Sequence, residues 1–97
     1  MSLTQIEYFV AVAEEGHVGR ASRRMHVSQP PLSRQIRALE AELGVTLFDR
    51  TPRGMVLRDA GIRFLARARR VLEEVRHARR EAQEPARGTA DGRDREA

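Results

Sequence analysis

Two adjacent prolines, Pro30 and Pro31, run directly into four apolar residues at helical spacing, and this arrangement constrains the chain more than any other feature. Leu32, Ile36, Leu39 and Leu43 recur at three- and four-residue intervals, the period of one helix face. Proline fits a helix only in its first turn, where the backbone N–H groups have no internal partner to lose. A helix therefore has to open at Ser28-Gln29-Pro30-Pro31. Because proline disfavours α geometry in the residue before it, the regular part is expected from about Pro31. Gly44 supplies the stop. Ser28 stands at the cap position, but the N–H groups it would normally bind belong to prolines, so its hydroxyl is expected to be free for another acceptor.

The flanking segments are read in the same way. Leu3, Ile6, Phe9, Val10 and Ala13 mark a first helix that ends at Gly16, and Val18, Ala21, Ser22 and Met25 mark a short second one. A tight turn through His26 and Val27 leads into the third. Beyond it, Thr46–Arg50 and Met55–Arg58 flank Thr51-Pro52-Arg53-Gly54, a turn with proline second and glycine fourth. This predicts a small hairpin with Arg53 at its exposed tip. Asp59 then opens a long helix to about Glu84, with the acid favourable at the positive helix end. Gly61, inside its first turn, is a small cost unless close packing requires it. From Pro85 the chain has no large apolar residue and is expected to be disordered. The expected organisation is a compact unit over residues 1–58, a long helix over 59–84 and a polar tail over 85–97.

Composition narrows the function classes. The chain has no cysteine, which removes disulfides and thiolate metal sites, and His17, His26 and His77 lack ligand spacing, so no metal or cofactor is expected. A net charge of +4 suits a polyanionic partner without demanding one. All basic residues are arginine, which also fill the far helix and tail, so this bias reflects genome composition more than function. No apolar run approaches the ~18 residues of a membrane span and no signal peptide opens the chain, so the default expectation is a cytoplasmic location without membrane contact.

Two helices joined by a tight turn, the second polar outward, describe a helix-turn-helix. On the third helix Gln29, Ser33 and Arg37 fall at i, i+4 and i+8, beside Pro30 and Arg34 and opposite the apolar stripe. These are DNA-reading chemistries: Gln pairs with adenine, Arg grips guanine with two bonds, and Pro touches a thymine methyl. The candidate DNA-contacting set is Ser28, Gln29, Pro30, Pro31, Ser33, Arg34 and Arg37 on the helix, with Arg50 and Arg53 on the hairpin. Ordinary surface helices also turn polar residues outward; the turn and the hairpin distinguish this one.

Arg20-Ala21-Ser22, Val27-Ser28-Gln29-Pro30-Pro31-Leu32-Ser33-Arg34-Gln35-Ile36-Arg37, Leu39-Glu40, Glu42-Leu43-Gly44, Leu47-Phe48-Asp49-Arg50-Thr51 and Ala60-Gly61 together resemble the N-terminal domain of LysR-type transcriptional regulators. The resemblance runs from about Leu3 to Val75. It implies a mainly α fold, a winged helix-turn-helix with a hairpin wing and a long C-terminal dimerisation helix. It also implies that Gln29, Pro30, Ser33 and Arg34 meet double-stranded DNA in the major groove, and that Arg53 on the wing approaches the minor groove. The helix from Asp59 would pair antiparallel with its copy, and the dimer would bind a partly palindromic promoter site. Such regulators continue into a ligand-sensing domain. This chain passes instead into a polar tail, so no small-molecule effector is expected for it, and whether a sensor is naturally lacking stays open here.

Departures from the pattern concern caps. His17-Val18-Gly19 stands where the family usually has Ser-Phe-Thr, so Gly19 replaces a capping hydroxyl and His17 is expected to be a solvated surface residue. Arg58 replaces the threonine that usually caps the long helix.

Gly61, Leu65, Ala68, Leu72 and Val75 follow a heptad pattern, widened by Ile62 and Val71. A helix of ~25 residues is ~37 Å long, more than so small a domain can cover. A homodimer through Leu65, Ala68, Leu72 and Val75 is therefore expected. The alternative is an interaction module that pairs through this helix with a full-length relative. An enzyme is not expected: Ser33 lies on the outer stripe, no buried carboxylate orients His26, and Glu40 and Glu42, two apart, face different directions.

Overall fold

A computed structural model describes residues 1–85; the expectation of a disordered tail falls largely outside the described residues. The elements run α1 (Leu3–Glu15), α2 (Val18–Met25), α3 (Gln29–Leu43), β1 (Phe48–Thr51), β2 (Gly54–Leu57) and α4 (Asp59–Gln83). Each boundary has a local cause. Ser2 caps α1 reciprocally with Gln5, Oγ accepting from the Gln5 N–H at 3.1 Å while Gln5 Oε1 accepts from the Ser2 N–H at 3.2 Å. Gly16 and Gly44 end α1 and α3 in the left-handed conformation, at φ 70° and 72°.

Helix α3 starts at Gln29, two residues before the expected regular onset at Pro31. Proline's fixed φ suits the first turn, and that fit outweighs the pre-proline bias on Pro30. Ser28 makes no side-chain cap bond, as its proline neighbours require. The α2–α3 turn closes at His26, which takes the left-handed conformation at φ 59°, while the Val27 N–H reaches the Ser22 carbonyl at 3.0 Å.

Phe9, Val12, Leu32, Ile36, Leu39, Leu47 and Phe48 form the fully buried centre. Phe9 meets Phe48 at 5.4 Å and Phe64 edge-on at 4.9 Å between ring centroids, so one side chain joins α1 to the hairpin and to α4. The hairpin pairs Phe48 with Leu57 and Thr51 with Gly54 across a Pro52-Arg53 loop, shorter at its N-terminal end than expected. Thr51 Oγ1 staples the loop by accepting from the Arg53 N–H and donating to the Gly54 carbonyl.

Two glycines set how closely the hairpin docks. The Met55 N–H donates to the Gly16 carbonyl at 3.0 Å, and a Cβ on Gly54 would fall 2.3 Å from that same oxygen. A Cβ on Gly61 would fall 2.2 Å from the Leu47 carbonyl oxygen, so close packing does require this glycine inside α4.

The seam expected on α4 needs correction. Ala68 is 2% exposed within its own domain's core and has no surface left for a partner. Leu65 and Leu72 are half-buried against the same core. The heptad spacing is real, but any helix face buries residues at that spacing, whether against its own body or against another chain. The large apolar side chains α4 leaves outside are Ile62 and Val71, 56% and 41% exposed. Val71, Val75 and Ala78 line a shallow apolar groove bordered by Arg67, Arg70 and Glu74.

Candidate nucleic-acid interface

Helix α3 buries Leu32, Ile36 and Leu39 and turns Gln29, Pro30, Arg34 and Arg37 outward; Ser28 is exposed just before it, and Pro31 and Ser33 are half-buried at its edge. The wing lies beside the start of this helix: Gln29, Thr51, Pro52 and Gly54 line one groove with His17 and Gly19. Arg53 is exposed at the wing tip. The guanidinium groups of Arg34, Arg37 and Arg53 have no partner among the described residues. Arg50 differs, since its Nη1 lies 3.7 Å from Glu40 Oε1.

Helix α2 is capped, though not by a hydroxyl. His17 is exposed, and its Nδ1 accepts from the Gly19 N–H at 3.0 Å, a capping role added to the expected surface position. A side chain at position 19 would collide with this imidazole, its Cβ 2.9 Å from Cε1, and would crowd Gln29 Nε2 at 3.3 Å. Gly19 is thus the space that lets the His17 cap and the Gln29 amide coexist. Arg58 makes no side-chain cap bond, leaving Asp59 as the acid of α4's first turn.

Glu14 holds the helices in register. Its carboxylate meets Arg24 of α2 at 2.8 Å and Arg69 of α4 at 3.0 Å. Partial burial pushes the Glu14 carboxyl up, but the hydrogen bonds and charges of Arg24 and Arg69 outweigh it and hold the group below the usual carboxylate range. The bonds and charges of Glu14, chiefly, and of Glu15 push the Arg24 guanidinium up against its partial burial.

Glu40 is not among the site residues expected from sequence. Its spacing from Glu42 shows only that the two carboxylates face apart, yet the side chain is 12% exposed and turned toward the hairpin. Its place next to Leu39, on the edge of the apolar stripe, was the available signal. No group of histidine, aspartate and glutamate among the described residues could hold a metal ion, and no helix among them is long and apolar enough to cross a membrane. The arrangement offers a positive, hydrogen-bonding surface.

Comparison with known proteins matches this geometry. The regulator ClcR of Pseudomonas putida is 52% identical over 88 residues, covering 91% of this chain and 30% of its own length. The regulator TfdS of Cupriavidus pinatubonensis is 60% identical over 73 residues, covering 75% of this chain and 25% of its own. The chain thus spans about a quarter to a third of these relatives. Among solved structures, the DNA-binding domain of CbnR in complex with DNA superposes with a TM-score of 0.82 at 48% identity, covering 86% of this chain and 95% of that one. The DNA-binding domain of BenM on benA site 1 DNA gives 0.82 at 37% identity, covering 86% and 96%. The family model for bacterial regulatory helix-turn-helix proteins of the lysR family matches residues 3–62, and this chain belongs to that family.

Proposed function

We propose that this chain is the DNA-reading part of a transcription regulator and that it binds double-stranded DNA as a homodimer. The observation that carries the reading is the outward stripe of Gln29, Pro30, Arg34 and Arg37 on α3, lying beside the tip of the wing. In this reading α3 enters the major groove, Gln29, Ser33 and Arg34 reach base edges, and Ser28, Pro30 and Pro31 pack at the groove's rim. Arg37, Arg50 and Arg53 neutralise phosphates. The named neighbours support it, since CbnR and BenM domains of this shape are described in complex with DNA.

The dimer forms through the outward apolar side chains of α4, chiefly Val71 and Val75, with Leu65 and Leu72 contributing the edges that their own core leaves open. Two α3 helices then meet half-sites about one helical turn, or a multiple of it, apart. A cytoplasmic, non-enzymatic protein is the corresponding reading. The exposed Ile62 and Val71 also favour a second one, in which α4 pairs with a longer relative and modulates it.

Titration of the chain onto a fluorescent duplex from its own upstream region, against a shuffled duplex and across a salt series, tests the first reading. Preference for the upstream duplex by ~10³ at moderate salt supports a site-specific regulator. Equal, steeply salt-dependent binding to both shows electrostatics alone. Absence of binding, together with mixed dimers formed with a relative, supports the second reading.

A further inference from the structure

Glu40 holds the whole connection between α3 and the wing. Its backbone carbonyl accepts from the Gly44 N–H at 2.9 Å and the Val45 N–H at 3.3 Å. Its carboxylate Oε2 accepts from the Leu47 N–H at 2.7 Å and the Phe48 N–H at 3.3 Å. The other oxygen, Oε1, faces Arg50 Nη1 on β1 at 3.7 Å. Four backbone N–H groups and one guanidinium therefore converge on a single residue of α3. The hairpin's other attachments lie elsewhere: β2 is bonded to the Gly16 carbonyl through Met55, and α4 closes on the Leu47 carbonyl at Gly61.

We propose that Glu40 is a positioning residue that sets the wing, and with it Arg53, relative to the reading helix. A charged acceptor makes shorter and stronger bonds to backbone N–H groups than a neutral one, and the low exposure of this carboxylate keeps water from replacing them. The Arg50 pair balances the charge. Arg50 then belongs first to the joint, and its contribution to DNA follows from where the joint holds it. The consequence for DNA rests on the proposed reading of α3 and the wing; the geometric assignment does not.

The absence of cysteine allows a direct test. Nitroxide labels on Ala38→Cys and Arg53→Cys report the distance from the exposed face of α3 to the wing tip. In the parent the distribution is narrow. Glu40→Gln keeps the shape but weakens the acceptor and drops the Arg50 pair, so the distribution broadens while circular dichroism shows the helices intact; Glu40→Ala broadens it further if it folds. An unchanged distribution in folded Glu40→Gln overturns the assignment.

Duplex binding supplies the second readout. Glu40→Gln lowers affinity about five-fold in the parent and in Arg34→Ala, but less than about two-fold in Arg53→Ala, because the loss passes through the wing. The same loss in all three backgrounds overturns a role through Arg53. If the parent binds no DNA, the proposed function fails while the label distances still decide Glu40.

Discussion

Helices α3 and α4 are built alike inward and oppositely outward. Both press small and aliphatic side chains into one core: Leu32, Ile36 and Leu39 from α3, Gly61 and Ala68 from α4. Outward, α3 shows an amide and two guanidinium groups, whereas α4 shows Ile62 and Val71 in a field of arginine and glutamate. A polar outer face with unpaired donors suits a polyanion, and an exposed apolar one suits another apolar surface. The proposed function gives these two surfaces of one small domain to two kinds of partner.

Two substitutions three residues apart on α4 would break this comparison most sharply. Ala68→Glu forces an unpaired carboxylate into the core and is expected to cost about 4 kcal/mol or more, enough to unfold so small a domain. Val71→Glu, just outside the edge of the stripe that α4 buries, should leave the fold within about 0.5 kcal/mol and weaken self-association by at least ten-fold. Urea unfolding and sedimentation equilibrium separate the two effects. A folded Ala68→Glu chain, or an undisturbed Val71→Glu dimer, would mean the faces of α4 have been assigned the wrong way round.

The outer face of α3 sets the next largest effect. Arg34→Ala is expected to lose about 1–3 kcal/mol of binding and to relax base preference at one position. Arg53→Ala should weaken binding to all duplexes alike and lower the salt slope by about one. Binding across a panel of single-base variants distinguishes them; a uniform loss in Arg34→Ala would remove α3 from the groove.

Much of this architecture is written in local punctuation. Gly16, Gly44, the double proline and Asp59 mark helix ends by backbone chemistry, which a sequence displays residue by residue. What escaped the reading depends on three-dimensional placement. His17 caps α2 through a ring nitrogen, a role its residue type does not advertise. Glu40 enters the sequence only as one of two carboxylates facing apart, and only the folded approach to the hairpin brings the Leu47 and Phe48 N–H groups to its carboxylate. Ala68 carries the spacing of a seam but not the direction in which the seam faces. For the reading surface, residue type and helical phase already placed Gln29, Arg34 and Arg37 outward; the neighbouring wing was expected, but the His17–Gly19–Gln29 arrangement beside it was not.

A smaller effect tests how α4 is tied to the reading unit. Glu14 links α2 to α4 through Arg24 and Arg69, and its carboxyl is held below the ordinary value of 4.5 in the fold. A depressed acid contributes stability that is fully present above its ordinary value and is lost as pH falls through the lowered one. The cluster is partly exposed, so the contribution is about 1 kcal/mol or less. Urea midpoints at neutral pH and about pH 3 should differ less in Glu14→Gln than in the parent. An identical acid loss in both would assign it to other carboxylates.

The smallest expected effect lies in the turn that delivers α3 to its place. His26, the C-cap of α2, adopts φ 59° with its backbone N–H donating to the Arg23 carbonyl at 3.3 Å and no side-chain hydrogen bond among the described residues, a conformation that costs an L-residue about 1–2 kcal/mol and glycine nothing. Glycine also has more freedom to lose on folding, about 0.5–1 kcal/mol, so the two effects nearly cancel. His26→Gly is therefore expected to raise stability by about 0.5 kcal/mol, seen as a higher urea midpoint with an unchanged slope. A fall of 1 kcal/mol or more, on the order of a lost hydrogen bond, would show that the imidazole supports the turn. α3 would then be held by a side chain at its entry, in contrast to α4, whose first turn is seated by the absence of one at Gly61.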